Sequence, residues 1–267
     1  MPSDNLPPQP ILFSFIHLLN IYLSMNCQAT VDQLHRLRLD GMAHAYAATI
    51  QLPTQQQPNA HEMLATMVDA ESNHRQNRRS QLYLTLSKLR FDAALPEVHC
   101  STDRNLSTDQ IALLASCNFI RQPQNIIITG ATGCGKSFLA CALGRHACQM
   151  GYKTLYLNMN RFIEKIAAAK LDGTYIRTLN QIEKTPLLIL DDFGLQPLDQ
   201  NLRLALFQIL EDRYAKKPVI IASQLPVNQW HEYLNEPTLA DAILDRLTAN
   251  SHRIELQGNS MRQLSNS

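Results

Sequence analysis

The sequence predicts an α/β fold: three α/β/α layers around a mainly parallel five-stranded sheet, preceded by a small all-helical domain. Two observations predict it. Apolar strand segments alternate with helical patterns after residue 105, and helical periodicity without strands precedes them. Strands that alternate with helices favour a parallel sheet covered on both faces. In such sheets the ligand site lies beyond the carboxyl ends of the strands.

Composition narrows the function classes only loosely. The 267 residues carry a net charge of +1, with 45% hydrophobic and 18% charged residues, as in a globular protein. Any affinity for nucleic acid therefore has to come from local patches. The six cysteines show neither a C-x-x-C pair nor zinc-finger spacing, which favours reduced thiols and a cytoplasmic protein.

Residues 1–25 are expected to be an extension outside the fold, with Met25 as the functional start. The apolar stretch Ile11–Leu23 is shorter than the about 20 residues that a membrane-spanning helix needs. It also lacks the basic region of a signal peptide, because the first basic residue is Arg36. We therefore expect no membrane partner.

Residues 26–104 are expected to form the helical domain, which contacts a partner or DNA. A capping box at Thr30–Gln33 predicts a helix over 31–51, and Asn59 with Glu62 predicts a second helix to about residue 89. The later part of that helix is basic without acidic residues, which indicates either a solvated face or a surface for phosphates or a partner. Its basic residues are Arg75, Arg78, Arg79, Lys88 and Arg90.

Residues 105–267 are expected to form the α/β domain. A second capping box, Ser107–Gln110, predicts a short helix to residue 115. Strands are expected at 126–129, 154–158, 187–191, 219–223 and 253–256, and helices at 137–149, 160–183, 199–215 and 238–249.

The loop between the first strand and its helix fits the phosphate-binding pattern G-x-x-x-x-G-K-[ST] at every fixed position. Its glycines let backbone N–H groups point at a triphosphate, beside the positive end of the helix. Lys136 is expected to reach the β- and γ-phosphates, and Ser137 to bind Mg²⁺. The predicted ATP-binding residues are Gly130, Ala131, Thr132, Gly133, Cys134, Gly135, Lys136, Ser137 and Phe138.

Two strand ends supply the predicted catalytic groups. The apolar run Leu187–Leu190 ends in Asp191, which we expect to reach the Mg²⁺ held by Ser137, and in Asp192, which we expect to orient and deprotonate a water. The following strand ends near Gln224, whose side chain either senses the γ-phosphate and aligns the water or caps a turn.

These motifs together resemble the IstB-like ATP-binding proteins, the helper ATPases of insertion-sequence transposons, which are related to the helicase loader DnaC and the initiator DnaA. The resemblance runs from about Asn26 to Arg262. It implies an AAA+ module in which the fourth strand lies between the P-loop strand and the acidic strand. Besides the P-loop it rests on Leu190–Gly194, Leu210–Tyr214, Ser223–Pro226, Asp241–Leu247 and Gly258–Arg262.

The resemblance also implies roles for single residues. Gln224 would act as sensor I, and Arg246 would enter a neighbouring subunit's site, with a surface pairing to Asp245 as the alternative. Arg262 matches a second, C-terminal sensor arginine. Because only a short stretch follows Arg246, we expect no full C-terminal lid and an ATP site closed by a neighbouring subunit.

The function implied by the resemblance is ATP-dependent, largely sequence-independent binding of double-stranded DNA. It would be accompanied by homo-oligomerisation, a transposase partner whose target it helps select, and ATP hydrolysis stimulated by DNA. Arg161, Lys165 and Lys170 are expected to lie near one another on the helix after the second strand and to contact DNA, with a solvated face as the alternative.

Three other functions stay open. The first is a helicase loader, which would bind a replicative helicase and prefer single-stranded DNA. The second is a small-molecule phosphotransferase, which would need an arginine-rich lid that is not evident in the sequence. A scaffold that binds ATP without turnover is the third, because Asp192 stands where many AAA+ proteins have Glu. ATPase activity measured with DNA and with nucleosides separates these functions.

Overall fold

The computed structural model describes residues 27–258 and 260–261. The predicted extension, the start at Met25, and Arg262 lie outside these residues. The chain divides into two compact units, one to Arg78 and one from Arg79. Ala93 and Val98, from the segment that we assigned to the helical domain, are buried in the core of the second unit.

The first unit is helical, but the single helix predicted over residues 31–51 is wrong. Helix α1 covers residues 27–36 and α2 covers Asp40–Ile50, with Arg38 in the left-handed region at φ 60° between them. The carboxylate of Glu71 accounts for the break, because it accepts a hydrogen bond from the N–H of Gly41 at 2.8 Å and so satisfies the start of α2.

The long helix α3, Ala60–Ser87, starts in the first unit and confirms its predicted cap. The side chain of Asn59 accepts from the N–H of Glu62 at 3.0 Å, and the N–H of Asn59 donates to the Glu62 carboxylate at 3.2 Å. This reciprocal pair is the capping box that the sequence indicated.

The second unit contains a five-stranded, all-parallel sheet in the order β2-β3-β4-β1-β5. This confirms the predicted fold class and the place of β4 between the P-loop strand and the acidic strand. The strands are β1 Asn125–Gly130, β2 Thr154–Asn158, β3 Leu187–Phe193, β4 Val219–Ser223 and β5 Ser251–Leu256.

Helices cover both faces of this sheet. The segment predicted as one helix over 160–183 is two helices, because the chain turns at Gly173 with φ 76°. The helices are α4 Thr108–Ala115, α5 Asn118–Arg121, α6 Lys136–Gln149, α7 Met159–Leu171, α8 Tyr175–Lys184, α9 Gln200–Arg213, α10 Trp230–Leu234 and α11 Pro237–Thr248. Among the helices of the described residues, none is long and apolar enough to cross a membrane.

Strand β1 shows how the two cores form. Ile126 and Ile128 pack on the face covered by α6, whereas Ile127 packs on the opposite face, with side chains of α7 and α9 such as Phe162 and Leu206. All of these side chains are almost completely buried, and each contributes about 1.5–3 kcal/mol by leaving water. The doubly buried sheet holds the carboxyl ends of its central strands beside the P-loop.

Candidate active site

The P-loop follows β1, and its glycines occupy backbone conformations that other residues avoid. Gly133 and Gly135 have φ angles of 85° and 93°. A side chain at Gly130 would place its Cβ 2.2 Å from the carbonyl oxygen of Leu256. Because α6 begins at Lys136, its first amide groups face the loop and provide an anion site.

The structure brings the P-loop serine together with the first acidic residue of β3. The hydroxyl of Ser137 donates to Oδ1 of Asp191 at 2.9 Å, and Asp191 is 1% exposed. Lys136 is also buried, and its ammonium donates to the carbonyl of Ala131 at 2.7 Å across the loop. A hydroxyl beside a carboxylate is a set of hard oxygen donors, so these residues fit Mg²⁺.

Tyr156 of β2 holds the other oxygen of the same carboxylate. Its hydroxyl donates to Oδ2 of Asp191 at 2.6 Å. Burial raises the pKa of Tyr156, and the negative charge of Asp191 raises it further, so the phenol stays a donor. Sequence analysis missed this residue, because a tyrosine within an apolar strand carries no motif.

Asp192 and Gln224 lie beside the P-loop. The amide oxygen of Gln224 accepts from the hydroxyl of Thr132 at 2.7 Å. Asp192 has φ 59°, which is uncommon for a non-glycine residue and typical of functional sites. Its carboxylate lies 3.5 Å from a guanidinium nitrogen of Arg90.

A cavity of about 430 Å³ lies against the P-loop, and we call it the P-loop cavity. Its polar lining includes Lys136, Ser137, Asp192 and Gln224. Its lining also contains the apolar side chains of Phe91, Val98, Phe138, Leu139 and Met261. A nucleotide has the same division between charged phosphates and a base, so the lining suits one.

Arg104 supports the P-loop from outside the motif. It is 9% exposed and donates to the carbonyl oxygen of Cys134 at 2.7 Å. A Cβ at Gly135 would come within 2.9 Å of its guanidinium. On another part of the loop, the N–H of Met261 donates to the carbonyl of Gly133 at 3.0 Å. Sequence analysis missed Arg104, because it lies 26 positions before the motif in an irregular segment.

Arg246 lies away from this site. Its guanidinium pairs with Glu211 and lies over the ring of Phe207 at 5.2 Å. The Glu211 carboxylate raises the pKa of Arg246, which stays charged. The backbone carbonyl of Arg246 accepts a hydrogen bond from the side chain of Asn125, at the start of β1. The P-loop follows the other end of β1. At about 3.3 Å per residue, the two ends of this strand are about 17 Å apart.

The three residues of α7 that were predicted to contact DNA do not lie on one face of that helix. Arg161 and Lys165 are one turn apart on α7, but Lys170 is nine residues from Arg161 and points about 180° away at 3.6 residues per turn. The expectation that all three lie near one another is therefore wrong for Lys170, whose ammonium lies 5.3 Å from the Tyr175 ring centre. Arg75 of α3 pairs with Glu71 at 2.6 Å.

Solved structures share the fold over about two thirds of this chain. The helicase loader DnaC matches with a TM-score of 0.52 and 20% identity, over 64% of this chain and 99% of that one. DnaI matches with a TM-score of 0.55 and 20% identity, over 66% of this chain and 94% of that one. A structure of the replication initiator DnaA bound to AMPPCP and single-stranded DNA matches with a TM-score of 0.54 and 20% identity, over 64% of this chain and 52% of that one. The fold is therefore of the AAA+ type.

Sequence relatives cover most of the chain. A Sinorhizobium fredii protein, provisionally named an insertion sequence ATP-binding protein, is 40% identical over 90% of this chain and 98% of its own length. A provisionally named ATP-binding protein of the insertion sequence IS1162 in Pseudomonas fluorescens is 40% identical over 76% of this chain and 88% of its own length. The family model for IstB-like ATP binding protein matches residues 32–267. The chain belongs to the family of IstB-like ATP-binding proteins, whose members bind ATP.

Proposed function

We propose that this protein is an ATPase that assembles on double-stranded DNA with ATP bound and helps a transposase select its target. The contact between Ser137 and Asp191 carries the proposal, because it closes the P-loop onto the acidic end of β3. Asp192 and Gln224 line the adjoining cavity, so the groups that phosphoryl transfer requires lie together.

Each of these residues has a separate part in hydrolysis. The P-loop amides and Lys136 would bind the β- and γ-phosphates, while Ser137 and Asp191 would hold Mg²⁺, which would supply positive charge to the phosphates. Asp192 orients a water molecule and accepts its proton, and Gln224 keeps that water in line with the γ-phosphate. Catalysis here depends mainly on position and charge rather than on covalent chemistry.

Arg246 acts in the site of a neighbouring subunit. It lies about one strand length from the P-loop of its own chain, so it does not serve that site. A cation supplied by a neighbour stabilises the charge of the transition state and makes hydrolysis depend on assembly. Arg262, the predicted second sensor, remains a part of this proposal that rests on the sequence.

The proposed partners rest on relatives and on local charge. The relatives are named for insertion sequences, which supports a transposition helper. The basic residues of α3 and the first turns of α7 offer phosphate contacts, although the net charge is only +1. Candidate DNA contacts are Arg75, Arg78, Arg79, Arg161, Lys165 and, on the other face of α7, Lys170.

The test measures ATP hydrolysis with and without duplex and single-stranded DNA, together with the size of the complex in a non-hydrolysable ATP analogue. We expect duplex DNA to stimulate hydrolysis and the analogue to give large assemblies on DNA. Lys136→Ala is expected to abolish ATP binding and assembly together, because Lys136 is the cation of the P-loop. An unaltered DNA shift of Lys136→Ala in the presence of ATP would contradict the coupling.

A helicase loader is the second candidate, favoured by the fold that the chain shares with DnaC and DnaI. The two functions differ in partner and in DNA. Stimulation by single-stranded rather than duplex DNA, and capture of a replicative helicase rather than of a transposase, would select the loader.

A further inference from the structure

A second cavity, of about 490 Å³, borders Asp192 on the side of α7. We call it the basic cavity. Three cationic side chains and one carboxylate belong to the described residues that line it. Its lining includes Lys88, Leu89, Arg90, Arg161 and Asp192.

The basic cavity is built from two separate segments. Lys88 and Arg90 follow the end of α3, while Asn158, Asn160 and Arg161 come from the start of α7. Lys88 has φ 58°, the left-handed conformation in which many helices end, and so it turns the chain away from α3. Leu89, between the two cations, packs against the core of the α/β unit and so holds this segment in place.

Arg90 belongs to both cavities. It lines the P-loop cavity together with Lys136 and Gln224, and it lines the basic cavity together with Arg161. Its guanidinium lies 3.5 Å from the carboxylate of Asp192, and both side chains are partly exposed, at 42% and 26%. Exposed ion pairs of this length are weak, so a stronger anion can displace the carboxylate.

We propose that the basic cavity binds a phosphate group and that Arg90 couples its occupancy to Asp192. The coupling to Asp192 rests on the proposed ATPase function, whereas the binding of phosphate does not. A phosphate offers Arg90, Lys88 and Arg161 more acceptor oxygens and more charge than one carboxylate does. When Arg90 turns to the phosphate, the Asp192 carboxylate loses its contact with Arg90 and can turn toward the water that it orients; while the contact lasts, Arg90 holds the carboxylate on the side of the basic cavity.

Phosphate groups reach this cavity from two sources: the DNA backbone or the inorganic phosphate that hydrolysis releases. A binding test on the full chain distinguishes them. The protein is saturated with a non-hydrolysable ATP analogue and Mg²⁺, so that the P-loop is filled. Inorganic phosphate and duplex DNA are then titrated separately by calorimetry into wild type, Lys88→Ala and Arg161→Ala.

We expect both variants to bind at least one of these probes roughly tenfold more weakly, the loss that removal of one charge-assisted hydrogen bond produces. Lys216→Ala is the matched control, because Lys216 is exposed and is not among the residues that line either cavity. Weaker binding of phosphate identifies the released product as the ligand, and weaker binding of DNA identifies the backbone. Equal affinities in all four proteins overturn the proposal.

The coupling has its own test, with the probe that bound. Arg90→Ala is expected to raise kcat in the absence of that probe and to abolish any further rise when it is added, while Arg90→Lys restores the response. Because Arg90 also lines the P-loop cavity, kcat and KM are determined separately. An unchanged response of kcat in Arg90→Ala overturns the coupling. If wild type hydrolyses no ATP, the proposed function fails, whereas the calorimetric test of the cavity is unaffected.

Discussion

Tyr156 is the residue that orients the carboxylate expected to hold Mg²⁺. Removing its hydroxyl leaves one oxygen of buried Asp191 without this donor. We expect Tyr156→Phe to weaken the apparent affinity for Mg²⁺ by about tenfold, the effect typical of partners that orient a metal ligand. The measurement is the Mg²⁺ dependence of ATP hydrolysis.

Tyr152→Phe is the control for this substitution, because the Tyr152 hydroxyl accepts from Arg121 and is not among the residues that line the P-loop cavity. We expect it to leave the Mg²⁺ dependence unchanged. Equal Mg²⁺ dependence in wild type and Tyr156→Phe would mean that the tyrosine only fills space.

Arg213 lies in Leu210–Tyr214, one of the motifs that the chain shares with the IstB-like family, and its role is structural. It is 1% exposed, and its guanidinium donates to the carbonyls of Ile182, Thr185 and Pro218 at 2.7–2.9 Å. Burial lowers the pKa of Arg213 to about 10. Its side chain thus connects the segment that precedes β3 with the segment that precedes β4.

We expect Arg213→Ala to lower the free energy of unfolding by about 3 kcal/mol, because several buried carbonyls lose a charged donor. Arg253→Ala, an exposed substitution on β5, is expected to change it by less than about 0.5 kcal/mol. Urea unfolding measures both values. A loss in Arg213→Ala no larger than in Arg253→Ala would contradict this account.

At the scale of elements, α2 depends on a carboxylate from α3. Glu71 accepts from the N–H groups of Gly41 and Met42, and it pairs with Arg75. The hydrogen bond from Arg75 and those from the two backbone N–H groups hold the pKa of Glu71 below its ordinary value. Its stabilising effect is therefore complete above the pKa of the unfolded chain and is lost as the pH falls through the lower, folded-state value.

Glu71→Gln is expected to lower the thermal midpoint of the helical unit at neutral pH, with a smaller difference from wild type near pH 3. Circular dichroism at both pH values measures this difference. Asp69→Asn, an exposed change on the same helix, is the control and should behave as wild type. A difference that stays constant with pH would contradict the role of the ionised carboxylate.

At the scale of the whole molecule, the proposed active site is divided between subunits. Asp192→Asn removes the water-orienting group of one site, and Arg246→Ala removes the cation given to the next. Each variant alone is expected to be inactive while it still binds ATP. A one-to-one mixture should regain about a quarter of the wild-type rate, because a quarter of head-to-tail interfaces then combine both intact residues.

ATP binding and assembly size are measured on the same mixtures, so that a loss of hydrolysis can be separated from a loss of binding or assembly. A mixture as inactive as its components, with ATP bound and assemblies formed, would show that Arg246 does not act between subunits. Full activity of Arg246→Ala alone would contradict any catalytic part for it.

Two of the failed predictions concern where a helix begins or ends. The helix expected over residues 31–51 has favourable local periodicity throughout, but Glu71 from another helix satisfies the amide groups of a second start at Gly41. The helix expected over 160–183 ends early, because Gly173 adopts a left-handed conformation. Local patterns report propensity, and these breaks depend on a distant side chain or on one backbone angle.

The sequence by itself determined the sheet, its parallel character and the P-loop, because each is written in consecutive residues with fixed spacing or period. The contact of Asp191 with Ser137 was equally predictable, because a buried strand that follows a P-loop and ends in acidic residues brings a carboxylate to the carboxyl edge of the sheet. Only the tertiary structure revealed the parts played by Tyr156 and Arg104, and only it placed Arg90 beside Asp192. Their contacts to Asp191, Cys134 and Asp192 join segments that are distant along the chain, and such contacts are decided by packing, which no spacing in the sequence encodes.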